Sequence, residues 1–259
     1  MTVEASGPED ALPIVFLHGA GVNRKMWMSQ AAALEREFRV ITLDLPGHGP
    51  LADRRFRMDD AVAEVAGVRL ERPAVVVGLS LGAHVAMSFA GRYPERVAGL
   101  VVSGGSGDHT GWVGLRMRAN AALLSLVFRI VGDRNVRRAA ARSFTRQAGR
   151  EVAAAVLAVG VRPQAGPEIL RELAGVDYTP ALRAYGGPTL ILNGAGDRAN
   201  RRAERRLLAA APHAAVRVLA GAGHTANWDR APDFTEVLRD FALSVKMTGQ
   251  MTEQPPPTP

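Results

Sequence analysis

The chain has 259 residues, 47% of them hydrophobic and none of them cysteine, which excludes wholesale disorder, disulfides and cysteine-ligated metals or clusters. Its formal net charge of +7 raises the question of nucleic acid. The basic residues are almost all arginines dispersed through Ala-, Gly- and Val-rich sequence, and aromatics are only 5%, so no aromatic-interleaved basic stripe exists and no nucleic-acid partner is expected.

Met1 to Asp10 is polar and carries Glu4, Glu9 and Asp10, unlike a secretory signal. The longest apolar stretch, Ala119 to Val131, is interrupted by Arg129 and falls short of the ~20 residues that span a bilayer. A cytoplasmic protein without a membrane span is expected. Short apolar runs then alternate with helical patterns. Pro13–Leu17 ends in His18-Gly19-Ala20-Gly21, Phe38–Leu43 ends at Asp44, and Pro73–Val77 ends at Gly78. Val97–Val102 ends in Ser103-Gly104-Gly105, and Pro188–Leu192 and Ala215–Leu219 complete the set. Near-continuous apolar runs of this length predict strands buried on both faces of a mostly parallel sheet. Helices are predicted over Met26–Glu37, Asp59–Val68, Leu81–Tyr93, Arg201–Ala211 and Pro232–Val245. The fold class is therefore α/β, a doubly wound sheet.

The stretch from Ser103 to Gly187 holds no strand-like run, only helical patterns at Trp112–Val131, Asn135–Gln147, Glu151–Val159 and Pro167–Ala174. A structureless loop of that length is out of place in a compact domain, so a helical cap inserted into the fold is expected. The expected organisation is a core over residues 12–105 and 186–246, a cap over 106–185, and a disordered tail over 247–259, which contains Gln-Pro-Pro-Pro-Thr-Pro.

Gly78-Leu79-Ser80-Leu81-Gly82 stands between a predicted strand and a predicted helix, the context that makes Gly-x-Ser-x-Gly informative. The tight turn thrusts the Ser80 hydroxyl out at the carboxyl end of the sheet, and the flanking glycines remove Cβ atoms that would clash. A bland reading makes Ser80 a helix N-cap. Serine needs a base to act as a nucleophile, and in this arrangement the base follows the last strand. His224, in Gly221-Ala-Gly-His224, is placed there. His18 and His48 lie in early glycine-rich turns, where they would shape the pocket floor; His84 is inside the helix after Ser80, His109 opens the cap, and His213 is in a turn. Asp197, just past the fifth predicted strand, is the expected orienting acid, with Asp108 as the alternative. The Ala20 and Leu81 amides are candidate oxyanion donors. The His18–Gly21 turn lacks the Lys-Ser/Thr of a phosphate loop and the spacing of a dinucleotide fingerprint, so neither cofactor nor metal is expected.

Taken in order, Leu17-His-Gly-Ala-Gly21 with Trp27, Asp44-Leu-Pro-Gly-His-Gly49, Gly78-Leu-Ser-Leu-Gly82 and Gly221-Ala-Gly-His224 resemble the α/β-hydrolase superfamily over about residues 12–245. The resemblance implies a Ser–His–Asp hydrolase with a cap, similar to the esterase, lactonase and C–C hydrolase group. Four features set it apart within the superfamily. Only a short segment precedes the Ile14 strand where the family has a β-hairpin, so a shortened sheet edge is expected. Gly82-Ala83-His84 lacks a common second glycine. Serine at the nucleophile position is unlike the dehalogenase and epoxide hydrolase branches, and the Asp44 turn lacks the Asp-Gln-Arg-Gly run of proline iminopeptidases. The expected reaction is hydrolysis of a small-molecule ester or lactone through an acyl-enzyme. C–C bond hydrolysis or acyl transfer by the same triad is the alternative, and a non-catalytic sensor with the same fold a more distant one. Leu123, Leu124, Val127 and Phe128 of the cap are expected to pack against the core or line an acyl pocket. Arg116, Arg118 and Arg129 are expected on a solvated helix face.

Overall fold

The computed structural model describes residues 2–253. The apolar runs form strands where their composition predicts: β2 Pro13–Leu17, β3 Arg39–Leu43, β4 Ala74–Leu79, β5 Val97–Ser103, β6 Thr189–Gly194 and β7 Ala214–Leu219. With β1, Val3–Ser6, they make one sheet in the order β1-β3-β2-β4-β5-β6-β7. All neighbours are parallel except β1, which pairs antiparallel with β3 from Val3 opposite Leu43 to Ser6 opposite Val40. The expected shortened edge is thus a single strand laid on β3. Its polar Glu4 and Ser6 hid it from a search for apolar runs.

Residues of β2, β4 and β6 are buried throughout. Alternation along each strand sends side chains to two cores. On one face Val15, Leu17, Val76 and Val102 meet α2 (Met58–Ala66), α3 (Leu81–Arg92), α7 (Thr179–Tyr185) and α8 (Arg198–Ala210). On the other, Ile14, Phe16, Val75, Val77 and Leu192 meet Trp27, α1 (Met28–Leu34) and α10 (Ala231–Glu253). Each such Val, Leu, Ile or Phe taken wholly from water contributes roughly 1.5–3 kcal/mol, and this two-sided burial holds the sheet. Trp27, fully buried, stacks between Phe16 and Phe234 at centroid distances of 4.9 and 5.9 Å.

The long connection between β5 and β6 holds α4 (Gly111–Val131), α5 (Asp133–Val159), α6 (Ala165–Leu173) and α7. The two patterns expected at Asn135–Gln147 and Glu151–Val159 join in α5, which Gly149 breaks with φ +78°. The segments entering and leaving α4–α6 are tied by an antiparallel bridge between Asp108 and Asp177 and by the Tyr178 N–H donating to the Gly107 carbonyl at 2.6 Å. Beyond this neck, α7 lies on the sheet face against α3, so close that a Cβ at Gly91 would stand 2.7 Å from Ala181 Cα. The stretch expected as cap, 106–185, therefore gives its last helix to the core. The final helix also runs past the expected tail start at 247, to Glu253; residues 254–259 lie outside the described residues. Among the described residues no helix is long and apolar enough to cross a membrane.

Candidate active site

The carboxyl end of β4 is where the sequence pattern becomes geometry. Ser80, between the last residue of β4 and the first of α3, has φ +56° and ψ −111° and is the one non-glycine with positive φ among the described residues. That conformation costs an L-residue about 1–3 kcal/mol and persists only where neighbours enforce it. Here they do. The Ser80 N–H donates to the Ser103 carbonyl at 2.8 Å, and the Ser80 carbonyl accepts from the Ala83 N–H at 3.1 Å. A Cβ on Gly78 would stand 2.2 Å from the Gly82 carbonyl oxygen, and one on Gly82 would stand 2.1 Å from that of Leu17. Both glycines are there because backbone occupies the space.

Asp197 follows β6 and caps α8, and His224 follows β7 in the loop before α9 (Ala226–Asp229). His224 Nδ1 lies 2.7 Å from Asp197 Oδ2. Pairing with a carboxylate assigns the proton to Nδ1, which leaves Nε2 with a free lone pair. Asn200 Nδ2 donates to the same carboxylate oxygen at 2.8 Å. Asp197 is buried while the His224 side chain is 47% exposed, so the pair has a dry side and a side open to substrate. Asp108, the alternative acid, is engaged elsewhere: it pairs with Arg206 at 2.5 Å and accepts from the Thr110 N–H at 2.7 Å. Its slight burial pushes its pKa up, but these two partners outweigh that and hold it below its ordinary value.

The two halves of the site meet through Ser103-Gly104. Ser103 receives the Ser80 N–H, and the His224 ring rests on Gly104. The Gly104 N–H donates to Asn193 Oδ1 at 2.9 Å, and Asn193 Nδ2 in turn donates to buried Glu204 at 3.0 Å. The His224 loop is fixed from its other side, the Gly223 N–H donating to Asp229 at 2.7 Å. No hydrogen bond joins Ser80 Oγ to His224 among the described residues. Catalytic hydrogen bonds are often long without substrate.

The turn after β2 carries Ala20, one of the two expected oxyanion donors, and is held by two histidines. His48 Nε2 accepts from the Gly21 N–H at 3.0 Å, and His18 Nε2 accepts from the Leu45 N–H at 3.0 Å. Both rings are fully buried, with centroids 4.7 Å apart. Burial lowers the pKa of His18 to about 4 and that of His48 to about 3, so both are neutral struts of the turn. The Gly19 N–H points to Met26 Sδ at 3.2 Å. The Ala20 and Leu81 N–H groups make no hydrogen bond among the described residues, which leaves both free to receive a ligand atom.

Sequence reasoning gave His84, Gly104, Asn193 and Asn200 no part in the site. His84 Nδ1 faces the Ser80 carbonyl at 2.8 Å and its Nε2 faces the Ser106 carbonyl at 3.0 Å. Burial, with His109 beside it, lowers its pKa to about 3, so the ring is neutral and donates to only one of the two. The spacing Asp197-x-x-Asn200 was a readable signal for the N-terminal turn of α8; the others depend on contacts between distant segments. Of the four cap residues expected to pack or to line a pocket, Leu124 and Phe128 are half-buried and two depart from expectation. Leu123 is 60% exposed and Val127 39%, so neither packs on the core nor lines an enclosed pocket. Arg116, Arg118 and Arg129 are exposed, as expected. Among the described residues no group of three or more His, Asp or Glu side chains is placed to hold a metal.

The chain is similar to known proteins over most of its length. A family model described as the alpha/beta hydrolase family matches residues 14–237. A pimeloyl-[acyl-carrier protein] methyl ester esterase of Vibrio parahaemolyticus is 30% identical over 88% of this chain and 93% of its own. The dihydrolipoyllysine-residue acetyltransferase component of an acetoin cleaving system from Pseudomonas putida is 38% identical, but over only 39% of this chain and 30% of that protein. Among solved structures, a thermophilic esterase from Thermogutta terrifontis superposes with a TM-score of 0.78 at 25% identity, over 94% of this chain and 93% of the other.

Proposed function

Because this chain belongs to the alpha/beta hydrolase family, we propose that it hydrolyses a carboxylic ester or lactone of a small molecule through an acyl-enzyme on Ser80. The observation that carries this reading is the enforced positive φ of Ser80, in a site where His224 is already oriented by Asp197. The similarity to two esterases supports the same reaction class.

In this mechanism His224 Nε2 takes the Ser80 hydroxyl proton as Oγ attacks the substrate carbonyl carbon. The carbonyl π electrons move to oxygen, and the Ala20 and Leu81 N–H groups receive the oxyanion, at the N-terminus of α3, whose dipole favours negative charge. Collapse breaks the bond to the leaving alkoxide, which takes the proton from His224. Water then repeats the sequence on the acyl-enzyme and releases the acid. Asp197 holds the ring in its Nδ1–H tautomer and stabilises the imidazolium; Asn200 holds Asp197. No metal or cofactor has a step in this scheme. Helices α4–α6 act as a cap over the site, and the cytoplasmic location expected from composition belongs to the same proposal.

A fluorophosphonate probe tests the reading. Folded protein is expected to be modified at Ser80 and the Ser80→Ala variant not at all; unmodified Ser80 in folded wild-type protein overturns it. A panel of esters of graded acyl length, lactones and vinylogous diketones then sets the substrate class. Turnover of the diketones alone would replace ester hydrolysis by C–C bond cleavage.

A further inference from the structure

Helix α4 carries a row of exposed apolar side chains that the site does not use. Trp112, Leu123, Leu126 and Ile130 are 72%, 60%, 51% and 76% exposed. With Arg116 and Ala119 they follow one another at spacings of four, three, four, three and four residues, so they share one face of α4. The opposite face is the packed one: Gly114 and Ala121 are buried, and Arg171 reaches from α6 to Ser125 Oγ at 2.7 Å. From Trp112 to Ile130 the row runs about 27 Å along α4, and exposed large apolar side chains gathered on one face mark an interaction surface.

Charge decides what covers it. Helix α4 contains Arg116, Arg118 and Arg129 and no acidic residue. The adjoining α5 adds exposed Arg134, Arg138 and Arg142, while its Arg137 pairs with Asp133. A second copy placed on this strip would bring Arg116 and the neighbouring arginines of two chains together with no acidic residue on α4 to offset them. A spanning helix is equally excluded, since the strip covers only one face. Apolar residues that immerse along one side of a helix, with arginines able to reach anionic headgroups and a tryptophan at one end, match a helix lying in the plane of a membrane interface.

We propose that α4 docks this protein on an anionic phospholipid surface. The helix leaves the carboxyl end of β5, the same end of the sheet as Ser80, so docking turns the site's end of the molecule toward the lipid. The inference rests on exposure and charge, and stands whether or not Ser80 acts as proposed.

Vesicle co-sedimentation of the full chain tests it, with mixed phosphatidylglycerol–phosphatidylcholine vesicles and with phosphatidylcholine alone. Wild-type protein is expected to pellet with the anionic vesicles and to be released by salt. Leu126→Glu combined with Ile130→Glu, at exposed positions where an unchanged thermal midpoint verifies folding, is expected to weaken partitioning at least about tenfold. Arg116→Glu combined with Arg129→Glu is expected to abolish the preference for anionic lipid. Wild-type protein left in the supernatant, equal binding to neutral vesicles, or unchanged binding by the Leu126/Ile130 variant overturns the proposal. So does a wild-type dimer in sedimentation velocity that Ile130→Glu dissociates, because the strip would then be an interface between copies.

Discussion

Gly104 supports the ring of His224 by having no side chain: a Cβ there would stand 2.8 Å from His224 Cε1 and 3.0 Å from Nδ1. Its φ of +58° disfavours any other residue as well. Gly104→Ala is therefore expected to push the imidazole off Asp197. A displacement of about 1 Å in a catalytic group costs about 10²-fold in rate, so kcat on the best ester should fall by about that factor with little change in KM. Steady-state kinetics and the rate of fluorophosphonate labelling report it together.

The two candidate acids separate cleanly. Asp197 accepts from His224, whereas Asp108 is held by Arg206 and Thr110. Asp197→Asn is expected to lower kcat by about 10⁴-fold, because an amide offers neither the charge nor the certain acceptor that fixes the tautomer. Asp108→Asn removes an ion pair to an exposed arginine, away from His224, and should leave kcat within about twofold. The reverse ranking in a side-by-side assay would reassign the acid.

Backbone strain at Ser80 makes a prediction about stability. Glycine adopts positive φ without the Cβ penalty, so Ser80→Gly relieves strain that Ser80→Ala keeps. After the larger unfolded-state entropy of glycine is set against this, Ser80→Gly should be more stable than Ser80→Ala by about 1 kcal/mol. Both variants should be inactive. Urea denaturation of the pair measures the difference, and equal midpoints would show that Ser80 stores no strain.

Acid sensitivity should follow the buried histidines. His18, His48 and His84 have pKa values lowered from 6.5 to about 4, 3 and 3, chiefly by burial. As pH falls below 6.5 the unfolded chain takes up protons that the folded chain refuses. The stabilisation is thus complete above 6.5 and is lost between there and the folded values, at up to about 1.4 kcal/mol per pH unit for each histidine. The urea midpoint should drop between about pH 7.5 and about pH 5. In His48→Gln, where an amide oxygen can take the Gly21 N–H, the drop should shrink by one proton's worth.

How much of this was readable depends on how local each interaction is. The strands at Ile14, Val75, Val101 and Leu190 were legible because burial on both faces leaves a run of apolar residues with no other use. Ser80 was legible because its turn is built from its own neighbours, Gly78 and Gly82. His224 was legible from its place after the last strand. Chain order does not separate Asp197 from Asp108, since both follow strands; packing sets Asp197 beside His224 and Asp108 beside Arg206. Short α7 was overlooked because its few residues carry too little periodicity, although Leu182 and Tyr185 are core residues.

Helix α4 marks the boundary most clearly. Its sequence specified an amphipathic helix, and the same leucines could equally have faced the core, an acyl pocket or solvent. By itself the sequence determined the order of strands and helices, the strained turn at Ser80 and the place of His224 after the last strand, all consequences of forces between residues close in the chain. Which acid meets His224, that Gly104 must make room for the ring, and that Leu123, Leu126 and Ile130 remain uncovered were decided only when distant segments packed together.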